Sequence, residues 1–432
     1  IVGTGISGLS AAWLLDRDHD ITIFEAQDRI GGHSITIEVP GFPAVDTGFI
    51  VYNTATYPNL IALFDHLGVQ TCQTDMSFGV SMNNRQYEYS GEALFAQKSN
   101  IFNLKHYKMI RDLVRFFRSA HSVLDRSDDI SLNDYLYEQG YSRAFIDWHI
   151  YPMAAAIWST SAGEVGEFPA KSFVRFFINH GLLKFKERPP WRTVRGGSRE
   201  YVSKLIRGFE NKIHLNTPVK SIQRKADGDG VAVNGDKFDH VILACHSDQA
   251  LNLLDDATGQ EKEILGAFPY SGNTAYLHQD ESFMPKRRKA WTSWNYLGDQ
   301  GGNVCVTYWM NRLQPFLPKD VPLFVTLNPP EKPENVLKEI YYDHPQYTSS
   351  ALEGWARIGD IQGVRNTWFC GAWCGYGFHE DGLSSGLAVA EALSGLKRPW
   401  NCDDVSPAGE NAKPNVSRET FQEHLSDKTN VA

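Results

Sequence analysis

Ile1-Val2-Gly3-Thr4-Gly5-Ile6-Ser7-Gly8-Leu9-Ser10-Ala11-Ala12-Trp13-Leu14-Leu15, followed by Ile21-Thr22-Ile23-Phe24-Glu25, is the stretch on which the fold turns. An apolar start, a glycine turn, a helix-forming run and a second apolar run read as one βαβ unit. Gly3-x-Gly5-x-x-Gly8 sits where the strand meets the helix, and Glu25 closes the following strand. Gly3 permits the tight turn, Gly5 lets backbone approach a pyrophosphate, and Gly8 lets helix and strand pack closely. Ile6 and Ser7 open the helix, whose N-terminal N–H groups attract phosphate charge. Glu25 then accepts hydrogen bonds from ribose hydroxyls. A glycine triplet alone also fits an ordinary strand-to-helix turn; its context and the acid make this one a dinucleotide site. Only Ile1 and Val2 precede the turn, so the first strand is expected to begin upstream, where a short targeting segment has room.

Outward from this unit the strict strand–helix alternation stops. Arg29-Ile30-Gly31-Gly32-His33 leads into extended sequence over 34–39 and then Val45-Asp46-Thr47-Gly48-Phe49. The spacing predicts helices near 103–124, 131–138, 142–158 and 170–183, the second capped by Ser131. Strands are expected at 213–215, 219–222, 231–233 and 241–244, with a hairpin at Asp227-Gly228-Asp229-Gly230, and strand-rich sequence from about 272 to 328. A last strand at 367–371 precedes a helix over 383–396 that Pro399 ends. From 401 to 432 the polar composition predicts an extended or disordered tail.

Composition narrows the function classes. The 432 residues carry a formal net charge of −9, which gives no general footprint for nucleic acid. No apolar run is long enough to span a bilayer. Six scattered Cys favour a reducing compartment, hence a cytoplasmic protein, and Cys370 and Cys374 read as buried thiols, with no metal site expected. On the 103–124 helix, Lys108, Arg111, Arg115 and Arg118 form a stripe opposite Ile110, Leu113, Val114 and Phe117. That stripe is either a solvated face or a peripheral contact with anionic membrane.

Taken together, Gly3–Gly8, Glu25 and Arg29-Ile30-Gly31-Gly32 resemble the flavin-containing amine oxidoreductase superfamily. Further segments share the resemblance: Arg195-Gly196-Gly197-Ser198 with its following helix, Thr217-Pro218-Val219-Lys220-Ser221-Ile222, Asp239-His240-Val241-Ile242-Leu243-Ala244, and Phe369-Cys370-Gly371-Ala372-Trp373 with Asp381-Gly382-Leu383. The resemblance implies a Rossmann-type α/β fold with a discontinuous FAD domain (1–75, 190–246, 366–400). It also implies a mixed-sheet substrate domain (76–189, 247–365) that includes a helical insert at 103–189. The candidate cofactor set is Gly3, Gly5, Ile6, Ser7, Gly8, Glu25, Ala26, Arg29, Gly31, Gly32, His33, Gly48, Phe49, Val219, Ala244, Gly371, Ala372, Trp373, Glu380, Gly382 and Leu383. Tyr308, Trp309 and Tyr376 are candidates for a substrate pocket.

Departures from the family pattern shape the expected chemistry. Ala372 and Trp373 stand where relatives often carry an acid for the ribityl chain, and Gly272–His278 holds no lysine for flavin N5. Tyr341-Tyr342-Asp343-His344 occupies the region of the tethering cysteine of monoamine oxidases, so FAD is expected to bind non-covalently. His379 replaces a cage tyrosine, either as a general base or head-group contact or as a packed loop residue. The segments 377–382 and 294–297 are similar to bacterial proteins resembling the oxidase-like half of plant cyclopropane fatty-acid synthases, which implies a fatty-acyl or lipid substrate. The expected activity is FAD-dependent removal of hydride from a C–H bond. A flavin amine oxidase and a non-catalytic flavoprotein partner of a lipid-modifying enzyme are the alternatives.

Overall fold

Val2, Ile23–Phe24, Ile213–His214, Val241–Leu243 and Thr367–Phe369 form one parallel sheet, with the start of the chain at its centre. The computed structural model describes residues 1–158, 162–184, 188–224, 230–298, 305–346, 348–402 and 406–415. Val241, Ile242 and Leu243 are all buried, the continuous apolar run of a strand covered on both faces. Helix α1 (Ile6–Leu15) is buried on almost every side because it is held between this sheet and the terminal helix His379–Ser394. The fold is thus mixed α/β with a Rossmann-type nucleotide unit, as the sequence predicts.

A seven-stranded mixed sheet makes the second layer, in the order 336–345, 270–278, 324–327, 305–309, 294–298, 78–82 and 87–90. Only the pair 294–298 with 78–82 is parallel. The helical insert packs on it through one apolar core that includes Tyr87, Tyr89, Phe145, Phe173 and Trp294. Helix α2 (Pro58–Leu67) lies against the terminal helix, and α3 (Leu104–Ser119) opens the insert.

Several boundaries differ from expectation. The terminal helix begins at His379, not 383, and stops at Gly395, whose φ of +75° ends it before Pro399 is reached. The strand expected at 219–222 runs from Ile222 to Arg224. Its antiparallel pairing with 231–233 gives the predicted hairpin, although Asp227, Gly228 and Asp229 lie outside the described residues. The helix expected over 142–158 changes to π geometry at Ile146–Ile150. Pro152 has no N–H for the Trp148 carbonyl, and the Tyr89 hydroxyl donates to that oxygen instead at 2.8 Å.

The tail is not wholly extended: Ala408–Asn411 is helical, and Ser406 Oγ donates to the Asp381 carboxylate while Asn411 Nδ2 donates to the Cys374 carbonyl. Residues 416–432 lie outside the described residues. On α3 the buried face is His106, Met109, Asp112 and Phe116, whereas Ile110, Leu113, Val114 and Phe117 are only half-buried. Arg115 leaves the expected basic stripe, its guanidinium lying 4.0 Å over the Tyr141 ring and 3.9 Å from the buried Asp112 carboxylate. Asp112 faces inward because it caps the helical segment that starts at Arg143, accepting the Ser142 N–H at 2.8 Å.

Candidate functional site

The glycine motifs meet at one point. A Cβ on Gly3, whose φ is +103°, would stand 2.8 Å from the Ala244 carbonyl oxygen, and one on Gly8 would stand 2.1 Å from the Gly3 oxygen and 3.1 Å from Ala244 Cβ. Gly32 would press its Cβ to 2.9 Å of Gly5 Cα, so the Arg29–Gly32 segment abuts the first glycine turn. Gly5 differs: nothing lies within 4 Å of its Cβ position. Open space therefore sits at the N-terminus of α1 while every other side of the turn is closed, which fits a pyrophosphate held by backbone N–H groups. Ile6 and Ser7 begin the helix as expected.

Glu25 lies just past its strand, and its Oε2 accepts from Thr4 N at 3.0 Å and from Thr4 Oγ1, while Oε1 accepts from Gln27 N. Ala26 beside it is exposed. Asn216 N and Thr217 N donate to the Gln27 and Glu25 carbonyls, which carries Pro218 and Val219 to the same end of the sheet. Arg29 Nη1 donates to the Gly32 carbonyl at 2.7 Å, and Gly31 N donates to the Thr4 carbonyl. Glu25, the Gly3–Gly8 turn and the Arg29–Gly32 segment thus form one continuous edge. This donor and acceptor set fits FAD.

A second set converges from the other end of the chain. Gly371 N and O are both bonded to Ser385 Oγ at 3.0 Å, which ties the last strand to the terminal helix. Small residues let that helix touch α1: a Cβ on Gly382 would lie 2.7 Å from Ile6 Cγ2, and one on Gly386 2.1 Å from the Ser7 carbonyl oxygen. Leu383 is buried in this contact. Ala372 is half-buried; Trp373 is buried, its indole N–H donating to the Cys245 carbonyl and its own carbonyl accepting from Trp355. Glu380 is turned away from this edge. Its carboxylate accepts from Asn59 N, Asn59 Nδ2 and Leu60 N, capping α2, and burial pushes it up to about 8.

His379 opens the terminal helix. Its ring stacks on Phe49 at 3.8 Å, its Nε2 pairs with the Tyr201 hydroxyl at 2.7 Å, and that hydroxyl lies 2.5 Å from Ser34 Oγ. Burial pushes the imidazole down to about 3, so it is neutral near pH 7. Gly48 leaves no room for a side chain, its Cβ position being 2.1 Å from the His33 carbonyl oxygen, which also accepts from Phe49 N. His33 is exposed and stacks on Tyr342 at 5.2 Å, with His344 and His246 each just over 6 Å away.

Of the pocket candidates, Tyr376 lines two adjoining clefts. One also carries His180, Phe378 and Asp381; the other, apolar, is formed by Trp158, Phe168, Phe173 and Leu352. Tyr308 faces the core of the insert near Trp294, but Trp309 points to the opposite face of the sheet, against Trp291. Trp309 therefore does not join Tyr308 and Tyr376, because adjacent strand residues alternate faces. Tyr201, Ser34, Thr4 and Asp46 were not legible as site residues. Asp46, pushed up to about 6 by burial, accepts from Thr36, Ser198 and Gln314 and so holds the Gly196-Gly197 turn in place.

A family model described as flavin containing amine oxidoreductase matches residues 6–328, well over half of the chain. The chain belongs to the flavin-containing amine oxidoreductase family. The cofactor of this family is a flavin, and FAD is accordingly the cofactor of this chain. AofH of Mycobacterium tuberculosis, provisionally named a flavin-containing monoamine oxidase, is 26% identical over 251 residues, 55% of this chain and 53% of its own. The chain thus spans about half the length of the curated relatives it matches. Putrescine oxidase bound to putrescine shares the fold at a TM-score of 0.63 and 16% identity, with 91% of this chain and 97% of that one covered. A fatty acid isomerase from P. acnes that produces CLA shares it at 0.63 and 15%, with 89% and 96% covered.

Proposed function

We propose that this protein is an FAD-dependent oxidoreductase that removes hydride from a C–H bond of a small or lipid-like molecule. The observation that carries the reading is the open position at Gly5, enclosed by Gly3, Gly8, Gly32 and Glu25 at the N-terminus of α1. When bound, FAD supplies the hydride acceptor. The chain's share is binding and orientation. We assign the adenosine end to Glu25, Ala26 and Val219, and the pyrophosphate to Gly5, Ile6, Ser7, Arg29, Gly31 and Gly32. The isoalloxazine end goes to the His33, Gly48, Phe49, Ala372 and Gly382 neighbourhood. These residues come from segments 1–75, 190–246 and 366–400, which we take as the FAD domain; 76–189 and 247–365 make the substrate domain. With Tyr341 to His344 in the region of the tethering cysteine, binding is non-covalent.

Substrate lies on the side of Tyr376 and His379 in this reading. Neutral His379, held by Tyr201, orients a substrate group through hydrogen bonding rather than taking its proton. The absence of lysine from 272–278 and the likeness to a fatty acid isomerase fold support a fatty-acyl substrate. An amine oxidase is the second reading, supported by the amine-oxidising relatives and their shared fold. Anaerobic mixing of the purified protein with a panel of unsaturated fatty acids and primary amines separates the two. Bleaching of the flavin by fatty acids supports the first reading, and bleaching only by amines replaces it with the second. If no member bleaches it, turnover is excluded for both classes and the role of a flavoprotein partner remains.

A further inference from the structure

Folding normally hides large apolar side chains, so a contiguous group left outside marks a contact surface. The segment entering α3 shows such a group. Phe102 is 88% exposed and Leu104 77%, and Phe95, Ile101 and Tyr107 are also exposed. They are neighbours: the Phe95 and Tyr107 rings lie 5.8 Å apart, and the Tyr107 hydroxyl donates to the Ile101 carbonyl at 3.1 Å.

The backbone that displays them is fastened from beneath. Gln97 Nε2 donates to the Gln86 carbonyl, Gln97 Oε1 accepts from Glu88 N, and the buried Asn100 donates to the Glu88 carbonyl at 3.0 Å. Asn103 caps α3, its Oδ1 accepting from Lys105 N and His106 N. Gln97 and Asn100 thus turn into the protein while Ile101, Phe102 and Leu104 face out of it, the reverse of a solvated turn.

Charge selects the occupant. Lys98, Lys105 and Lys108 are exposed around the apolar tip, and no acidic residue occurs from Ala93 to Arg111 in a chain of net charge −9; Arg111 is paired with Asp112 at 2.9 Å. A second copy pairing through this face would set cations against cations. We propose that the tip formed by residues 95–111 docks on an anionic lipid bilayer. Phe102, Leu104 and Ile101 enter the interfacial region, and Lys98, Lys105 and Lys108 meet the head groups. The contact is peripheral, since no helix among the described residues is long and apolar enough to cross a membrane. The proposal rests on this surface alone and is independent of the redox reading.

Co-sedimentation of the full chain with vesicles of phosphatidylcholine containing phosphatidylglycerol, and of phosphatidylcholine alone, tests it. The anionic vesicles should capture the protein, the neutral ones should not, and added salt should weaken capture because exposed attraction is screened. F102S/L104S should lower partitioning roughly tenfold or more, and K105Q/K108Q should lower it about fivefold for each cation removed. Both variants should keep the wild-type flavin content and thermal unfolding, because the altered side chains are exposed. No capture, equal capture by neutral vesicles, or capture of F102S/L104S at the wild-type level would each overturn the proposal. So would a wild-type dimer that F102S/L104S converts to monomer, which would assign the face to a second copy. A colourless protein that still binds anionic vesicles would remove the redox reading and leave the docking surface standing.

Discussion

His379 is the residue whose environment most changes its expected chemistry. A histidine near a flavin invites a general-base role, but burial holds this one neutral down to about pH 3, and so weak a base is poorly matched to proton abstraction near pH 7. Its stacking on Phe49 and its bond to Tyr201 make it a wall with one hydrogen-bonding edge. His379→Phe is therefore expected to retain FAD and its spectrum and to slow flavin reduction by about tenfold, the worth of one hydrogen bond. The pH profile between 5 and 8 should keep its shape. Stopped-flow reduction across that range checks this, and an inflection near 6.5 present in the wild type and lost in the variant would show a titrating base instead. The residue type and its nearness to the glycine helix were legible in the sequence. Its partner Tyr201 was not, because the two are brought together only when separate segments fold onto α1.

At the scale of elements, the contact between α1 and the terminal helix depends on Gly386, which has no space for a methyl group beside the Ser7 carbonyl and Ser10 Oγ. Gly386→Ala should push the helices apart, lose bound flavin and lower the urea midpoint, as overpacking commonly costs about 1–3 kcal/mol. Glu380 joins the same helix to α2. Glu380→Ala leaves the Asn59 and Leu60 N–H groups without their acceptor, at an expected cost of about 1–3 kcal/mol in equilibrium denaturation. The glycine-rich elements were readable from sequence because close backbone approach demands small residues wherever it occurs. The boundaries that were missed depend on tertiary partners: the π turn before Pro152 needs the Tyr89 hydroxyl, and the orientation of α3 needs Asp112 to reach Ser142. A carboxylate among arginines looks solvated in a sequence, and nothing local reveals that it caps a distant helix.

Across the whole molecule, burial holds His379 down to about 3 and His149, His180, His278 and His344 to about 4. Unfolded, each would bind a proton near its ordinary value of about 6.5. Unfolding therefore takes up protons, and stability should fall as pH drops from about 6.5 toward 4. Asp46, raised to about 6, and Glu380, raised to about 8, act oppositely: their stabilisation is present below the ordinary carboxyl range and lost as pH rises through those values. The five histidines outnumber the two acids, so the urea midpoint at pH 5 should lie below that at pH 7; equal midpoints would show that these imidazoles are not held neutral. The central claim, a dinucleotide edge built for FAD, is tested most directly by acid release of the bound cofactor from purified wild type and from Gly5→Val. Gly5 has ordinary backbone angles and an open Cβ position, so the variant should fold. The wild-type protein should be yellow and release intact FAD, and a folded Gly5→Val should carry almost none. A wild type that releases a nicotinamide dinucleotide, or that is colourless and cannot be reconstituted with FAD, would contradict it, as would a Gly5→Val protein with full flavin content.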